Sequence, residues 1–216
     1  MLKVQKFDLL VALYIFCIAV AELMGAKTFT LFMIGDFPLT ASVAIFVVPL
    51  IFTINDIIFE VFGKERAKSV ITSGLVVIFL LMLFSLLAII LPPSARFAGS
   101  EAAFDEIFSK SIRISVASLT AFAIALYLDV AIFAKIKERL GKNALWLRNN
   151  VSNFGAQFFD TTIFMFLAFY SLERNFNENF IFLLGLIIPY WILKCCVSIL
   201  DTPFVYLGVK WLKKSA

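Results

Sequence analysis

The chain alternates long apolar runs with short polar or charged connectors. Six runs, Asp8–Gly25, Thr40–Phe59, Ser69–Leu91, Ile112–Phe133, Trp146–Tyr170 and Phe180–Leu207, are long enough to cross a bilayer as helices. About 20 apolar residues at 1.5 Å each match its hydrocarbon core. The pattern predicts an all-α polytopic membrane protein with six transmembrane helices and a single transmembrane domain over residues 1–216. The last two runs exceed the minimum length and are expected to tilt or to extend past the membrane. Span three has almost no polar group and is expected to face lipid. Pro49 predicts a kink in span two, because proline removes a backbone hydrogen bond. Pro92-Pro93 ends span three, and Glu101–Phe108 in the loop that follows is a candidate short external helix.

Span five breaks the apolar rule. Its first half carries Arg148, Asn149, Asn150, Ser152, Asn153, Gln157 and Asp160. Asn149, Asn153, Gln157 and Asp160 follow i, i+4, i+8, i+11 spacing and share one helical face. Such groups are costly in lipid, so that face is expected to line a binding site or a water-filled cavity. Phe154, Phe158, Phe164 and Phe166 lie opposite, free to meet lipid or other helices.

Composition agrees with the pattern. Hydrophobic residues make up 62% and charged residues 16%, against about 45–50% and about 25% in soluble domains. The net charge of +4 does not point to nucleic acid, because the basic residues sit in short blocks between spans. Twelve of them fall in the terminal and alternate connectors (Lys3 and Lys6; Lys64, Arg66 and Lys68; Lys135, Lys137, Arg139 and Lys142; Lys210, Lys213 and Lys214), against four in the others (Arg96, Lys110, Arg113 and Arg174). The positive-inside rule then predicts cytoplasmic termini. The N-terminal run leads straight into a span without a small-residue cleavage site, so no cleaved leader is expected. Cys17, Cys195 and Cys196 all fall inside spans and read as packing residues. With no histidine, His-based metal binding and His proton relays are excluded. No metal or cofactor is expected.

Ionisable groups stand within or at the ends of spans: Glu22, Lys27, Asp56, Glu60, Asp129, Asp160, Lys194 and Asp201. Each costs at least about 2.5 kcal/mol at a lipid-exposed helix centre. Asp56, Asp129, Asn149, Asn153 and Asp201 fall near the cytoplasmic ends of their spans, whereas Asp160 and Lys194 fall near mid-membrane. Lys194 is the lone lysine in the middle of a span, and Asp160, at similar depth, is its expected partner. Two readings stand for that pair: a structural ion pair between helices, or part of a ligand site. Glu60 is expected to pair with Lys64 one turn on, Asp129 with Lys135 or Arg148, and Glu22 either pairs with Lys27 or lines an outer entrance. A cavity of carboxylates, amides and aromatic rings suits a polar planar heterocycle. A carboxylate beside an amide can read a guanine-like edge, and the rings can stack on it.

FTINDIIFEVFGKERAK (52–68), LYLDVAIFAKIK (126–137), WLRNNVSNFGAQFFDTTIF (146–164) and LKCCVSILDTPFVYL (193–207) resemble the queuosine precursor transporter family, also described as vitamin-uptake-transporter-like. The likeness covers spans two, four, five and six in order; span three and the external loops match only in hydropathy and length. It implies a compact six-helix fold and import of 7-cyano-7-deazaguanine or 7-aminomethyl-7-deazaguanine across the bacterial inner membrane. The matching positions are Asp56, Glu60, Asp129, Asn149, Asn150, Ser152, Asp160, Lys194 and Asp201. On chemical grounds Asp160 and Asn153 would read the base edge, with Gln157, Asn149 and Lys194 beside them. Phe154, Phe158 or Trp191 would stack on the ring. Asp56 or Asp129 would couple import to protons, and Asp201 would couple or support. The expected partners are a deazapurine and membrane lipids; a homo-oligomer is left open. No G-x-x-x-x-G-K-[ST] motif appears, so ATP use would need another protein. The alternatives are a vitamin-binding subunit of an energy-coupled uptake complex, an intramembrane enzyme, for which no nucleophile–base pair appears, and a structural membrane subunit.

Overall fold

The computed structural model describes residues 5–140 and 145–213, with side chains at 32, 34, 37, 64, 125–153, 156 and 197–202 left out. Six helices run in chain order: α1 Lys6–Met24, α2 Val48–Phe62, α3 Lys64–Ile90, α4 Glu101–Leu140, α5 Leu145–Phe169 and α6 Phe176–Lys213. Among the described residues five helical segments are long and apolar enough to cross a membrane: Lys6–Met24, Val43–Phe62, Glu65–Ile90, Ala98–Ile124 and Phe176–Cys196. Gln157–Phe169 is a shorter apolar stretch within α5.

Three expectations change. The chain is mostly helical but not purely so: β1 (Thr28–Ile34) and β2 (Phe37–Ser42) form a two-stranded hairpin before α2. Its two-residue turn has Gly35 at φ 59°, while Asp36 keeps a negative φ. Glycine at the first central position is the requirement of a type II′ turn, whose twist matches the strands. Thr40–Ser42, expected to open span two, are therefore strand residues, and a short 3-10 turn, Val43–Phe46, leads on to α2. Second, Pro49 sits in the first turn of α2. A missing N–H costs nothing there, since the first amides of a helix have no intrahelical acceptor. The proline therefore falls where it gives α2 no cause to kink. Third, Glu101–Phe108 is helical but is no separate external helix. It is the first part of α4, which at 40 residues is about 60 Å long, twice the hydrocarbon thickness.

By contact density the chain divides into two units. The first holds 1–29, 42–115 and 196–216, and its frame is α1, α2 and α3 packed on one another. On α1 the buried positions Leu10, Tyr14, Cys17, Ile18 and Glu22 form one stripe, while Leu9, Leu13 and Phe16 are exposed. On α3 the buried stripe is Ala67, Val70, Gly74, Ile78 and Ser85, with Val76, Phe79, Leu80, Leu83, Phe84 and Leu87 outward. An apolar outward face is what a bilayer accepts, as expected for span three. Gly74 lets α3 approach closely: a Cβ there would stand 2.6 Å from Ile18 Cδ1 and 2.9 Å from Tyr14 Cε1. Gly63, at φ 81° and ψ 173°, turns α2 into α3 through an extended positive-φ conformation that only glycine enters freely. Ser42 joins hairpin to helix. Its hydroxyl donates to the Gly25 carbonyl at 2.5 Å and accepts from Ala44 N–H at 3.1 Å, a cap on the 3-10 turn.

The second unit holds 30–41 and 116–195. Its buried residues among those described include Leu39 and Ala41 on β2, Ala117 and Ala121 on α4, Thr161, Met165 and Ala168 on α5, and Leu183, Leu186, Ile187 and Tyr190 on α6. Within it α5 and the first half of α6 form an antiparallel helical hairpin. Asn179, 2% exposed, closes its loop: Oδ1 accepts from Ser171 N–H at 2.9 Å, and Nδ2 donates to the carbonyls of Ser171 at 2.7 Å and Arg174 at 3.1 Å.

Candidate functional site

The α5–α6 hairpin positions the site. From the loop end inward its cross-contacts are Ser171 with Asn179, Phe169 with Phe182 (6.5 Å between ring centroids), then Phe158 with Trp191 (5.4 Å, edge to face). Trp191 Nε1 donates to the Phe154 carbonyl at 3.2 Å, so the indole is fixed at one end by a hydrogen bond and at its face by a ring. The polar centre follows: Lys194 Nζ donates to Asp160 Oδ2 at 2.6 Å. The lysine side chain is 14% exposed and the aspartate 30%. At 1.5 Å per residue, Lys194 lies about 22 Å along α6 from Asn179, and Asp160 about 16 Å along α5 from Ser171.

A charge pair at this depth is held together by mutual need. Within a membrane-spanning hairpin either charge alone would be penalised, whereas the pair is net neutral and hydrogen-bonded. It is also a donor and an acceptor at fixed separation, ready to be shared with a ligand that offers the complementary edge. Gln157 is half-buried one turn before Asp160 on the same face of α5. Phe158, 40% exposed, and the half-buried Trp191 put aromatic surface on the same hairpin.

Of the residues singled out from sequence, Asp160, Lys194, Gln157, Phe158 and Trp191 fall together in one unit. The side chains of Asn149, Asn153, Asp129 and Asp201 lie outside the described residues. Asp56 belongs to the other unit, exposed on α2. There Glu22 is 5% exposed on α1, whereas Lys27 is exposed. Glu60 is exposed, and the side chain of its expected partner Lys64 is outside the described residues. Two residues were missed. Thr161, 1% exposed, and Thr162 follow Asp160 directly, and among the described residues neither buried hydroxyl has a hydrogen-bond partner. Helical threonines usually bond the carbonyl four residues back, so sequence gives no cue that these two do not. Among the described residues no His, Cys, Asp or Glu cluster could hold a metal.

Several apolar helices with outward apolar faces, and a half-buried ion pair bridging a helical hairpin, define a multi-pass membrane protein. The chain belongs to the family described as "Putative vitamin uptake transporter", whose model matches residues 42–208. It is 29% identical over 196 residues to the "Probable queuosine precursor transporter" of Bacillus subtilis (strain 168), covering 90% of this chain and 81% of that one. It is 27% identical over 144 residues to the protein of the same description in Haemophilus influenzae, covering 66% of this chain and 57% of that one. No solved structure gives a significant match.

Proposed function

We propose that the chain imports a 7-deazaguanine precursor of queuosine across the bacterial cytoplasmic membrane, as a secondary transporter of six spans with both termini inside. The observation that carries this reading is the Asp160–Lys194 pair at 2.6 Å, bridging the α5–α6 hairpin beside Phe158 and Trp191. A deazaguanine offers adjacent N–H donors on one edge and a carbonyl next to them. Asp160 accepts from the donors, Lys194 turns to the carbonyl, and Gln157 and Asn153 supply further amide contacts. Ligand and pair thus exchange hydrogen bonds without leaving a charge unpaired. Thr161 adds a hydroxyl whose partner is the ligand. The names of both relatives support the substrate class, and α5, at 25 residues about 37 Å long, is long enough to serve as the remaining span. Asp56, Asp129 and Asp201 are the candidates for proton coupling.

The test is rescue of queuosine in tRNA, in bacteria unable to make or import its precursors, fed 7-cyano-7-deazaguanine at limiting concentration. Hydrogen bonds to charged groups contribute about 1.5–3 kcal/mol, so Asp160→Asn should lower uptake roughly ten- to hundredfold. The double variant Asp160→Asn with Lys194→Gln restores a neutral hydrogen-bonded pair. It should stay as poor as the single variant if the pair reads the substrate. Normal uptake by the double variant would leave the pair a purely structural role.

A further inference from the structure

One end of the first unit brings together the chain start, the α2–α3 turn and the chain end. Lys6 Nζ donates to the Trp211 carbonyl and lies 4.7 Å from the centroid of its indole ring. The next residue, Phe7, receives the Arg66 guanidinium over its ring at 4.7 Å and meets Phe62 edge-on at 4.7 Å. Arg66 is exposed, and Lys210 and Lys213 flank Trp211, also exposed. Among the described residues none of these four cations has a carboxylate within ion-pair distance, whereas Glu65, the nearest acid to Arg66 in sequence, pairs with Lys68 at 3.5 Å. Asp8 and Glu60 leave the balance positive.

Two features distinguish this from a solvated charge run. The cations come from three separate segments tied to one another by ring contacts, and the ring cluster they rest on is open at its edge. Trp211 under Lys6 is 40% exposed, Phe7 under Arg66 is half-buried, and Phe62 against Phe7 is 42% exposed. Amphipathic rings at the level of headgroups with cations beside them match the boundary of a bilayer: ring in the glycerol layer, cation at the phosphate. On the topology proposed above this end faces the cytoplasmic leaflet, where anionic lipids gather.

We propose that Lys6, Arg66, Lys210 and Lys213 form a headgroup site for an anionic phospholipid, seated against Trp211 and Phe62. Arginine presents a forked donor to phosphate oxygens. The lysines add charge without demanding a fixed geometry.

The experiment titrates the full chain, held in phosphatidylcholine vesicles, with phosphatidylglycerol bearing brominated chains, and reads tryptophan quenching. Quenching is expected at lower mole fraction than with brominated phosphatidylcholine. That preference should weaken about fivefold in apparent affinity for each cation removed, in Arg66→Gln, Lys210→Gln and Lys213→Gln. It should also collapse for the unaltered chain as salt is raised. A preference equal for both lipids, or one that persists in the triple variant while its melting temperature in phosphatidylcholine is unchanged, overturns the proposal. So does equal stabilisation by soluble glycerol phosphate, which would make this a site for a free anion. Uptake assays do not enter the readout, so failure here is separable from failure of the substrate assignment. The salt titration needs no variant that folds.

Discussion

Asn179 and Lys194 show what a polar side chain does inside a membrane helix pair. Asn179 uses both ends of its amide: the oxygen takes one backbone N–H, and the nitrogen is shared among the carbonyls of Ser171, Arg174 and Asn175. The Ser171 and Arg174 groups belong to the turn between α5 and α6, whereas the Asn175 carbonyl also accepts the Asn179 N–H at 3.2 Å. Asn179→Ala would strand the Ser171 and Arg174 groups in a buried site, at about 1–3 kcal/mol for the exposed deficit. The expected outcome is a lower melting temperature of the purified protein. Asn175→Ala removes the N-cap of α6, whose Oδ1 accepts from Glu178 N–H at 3.1 Å, and should cost about 0.5–2 kcal/mol by that separate route. The Lys194–Asp160 pair was legible in the sequence, since a lone mid-span lysine must find a carboxylate at its own depth and Asp160 is the one available. Asn179 was not. It sits just outside the apolar run that marks span six, and nothing in NFNENF separates the asparagine that turns inward from the two that do not.

Among the elements, α3 is the clearest case of a helix whose two faces answer to different neighbours. Its outward side needs only to be apolar; its inward side needs to be small. Gly74 sets the approach to α1, where it lies against Ile18 and Tyr14. Gly74→Val would drive atoms into Ile18 and Tyr14. Overpacking of this kind costs about 1–3 kcal/mol, and the loss should appear as earlier thermal unfolding. Phe84→Val, on the exposed side at 72%, should change little. Helix positions were readable because apolar length alone marks a span. The faces of α3 were not, because lipid and protein neighbours both accept leucine and valine, leaving no polar stripe to give the period away. The β-hairpin was hidden by the same uniformity. Thr28–Ile34 is a strand in composition and Gly35-Asp36 a turn, but beside two membrane spans the run passes for a connector. The α4 boundary failed for a related reason: Glu101, Asp105 and Glu106 look like loop residues, yet a helix that projects beyond the bilayer is free to carry them.

At the scale of the whole molecule, the carboxylate and ammonium held at 2.6 Å have an electrical consequence. A lone charge crossing the membrane field is worth about 2.3 kcal/mol per 100 mV. A paired plus and minus moving together carries almost none, and a neutral deazaguanine adds none. Reorientation of this site, loaded or empty, should therefore generate no current. In proteoliposomes on a solid-supported membrane, addition of 7-cyano-7-deazaguanine, which unlike the protonated aminomethyl precursor is uncharged, should leave the capacitive signal flat, and imposed voltage should not change its uptake rate. A current would mean that a proton travels with the base on a residue other than this pair, with Asp56, Asp129 and Asp201 as the carriers to substitute first. The resting potential of the cell would then be a driving force for uptake, whereas reorientation of the ion pair alone would be indifferent to voltage and would follow only the concentration gradient of the substrate.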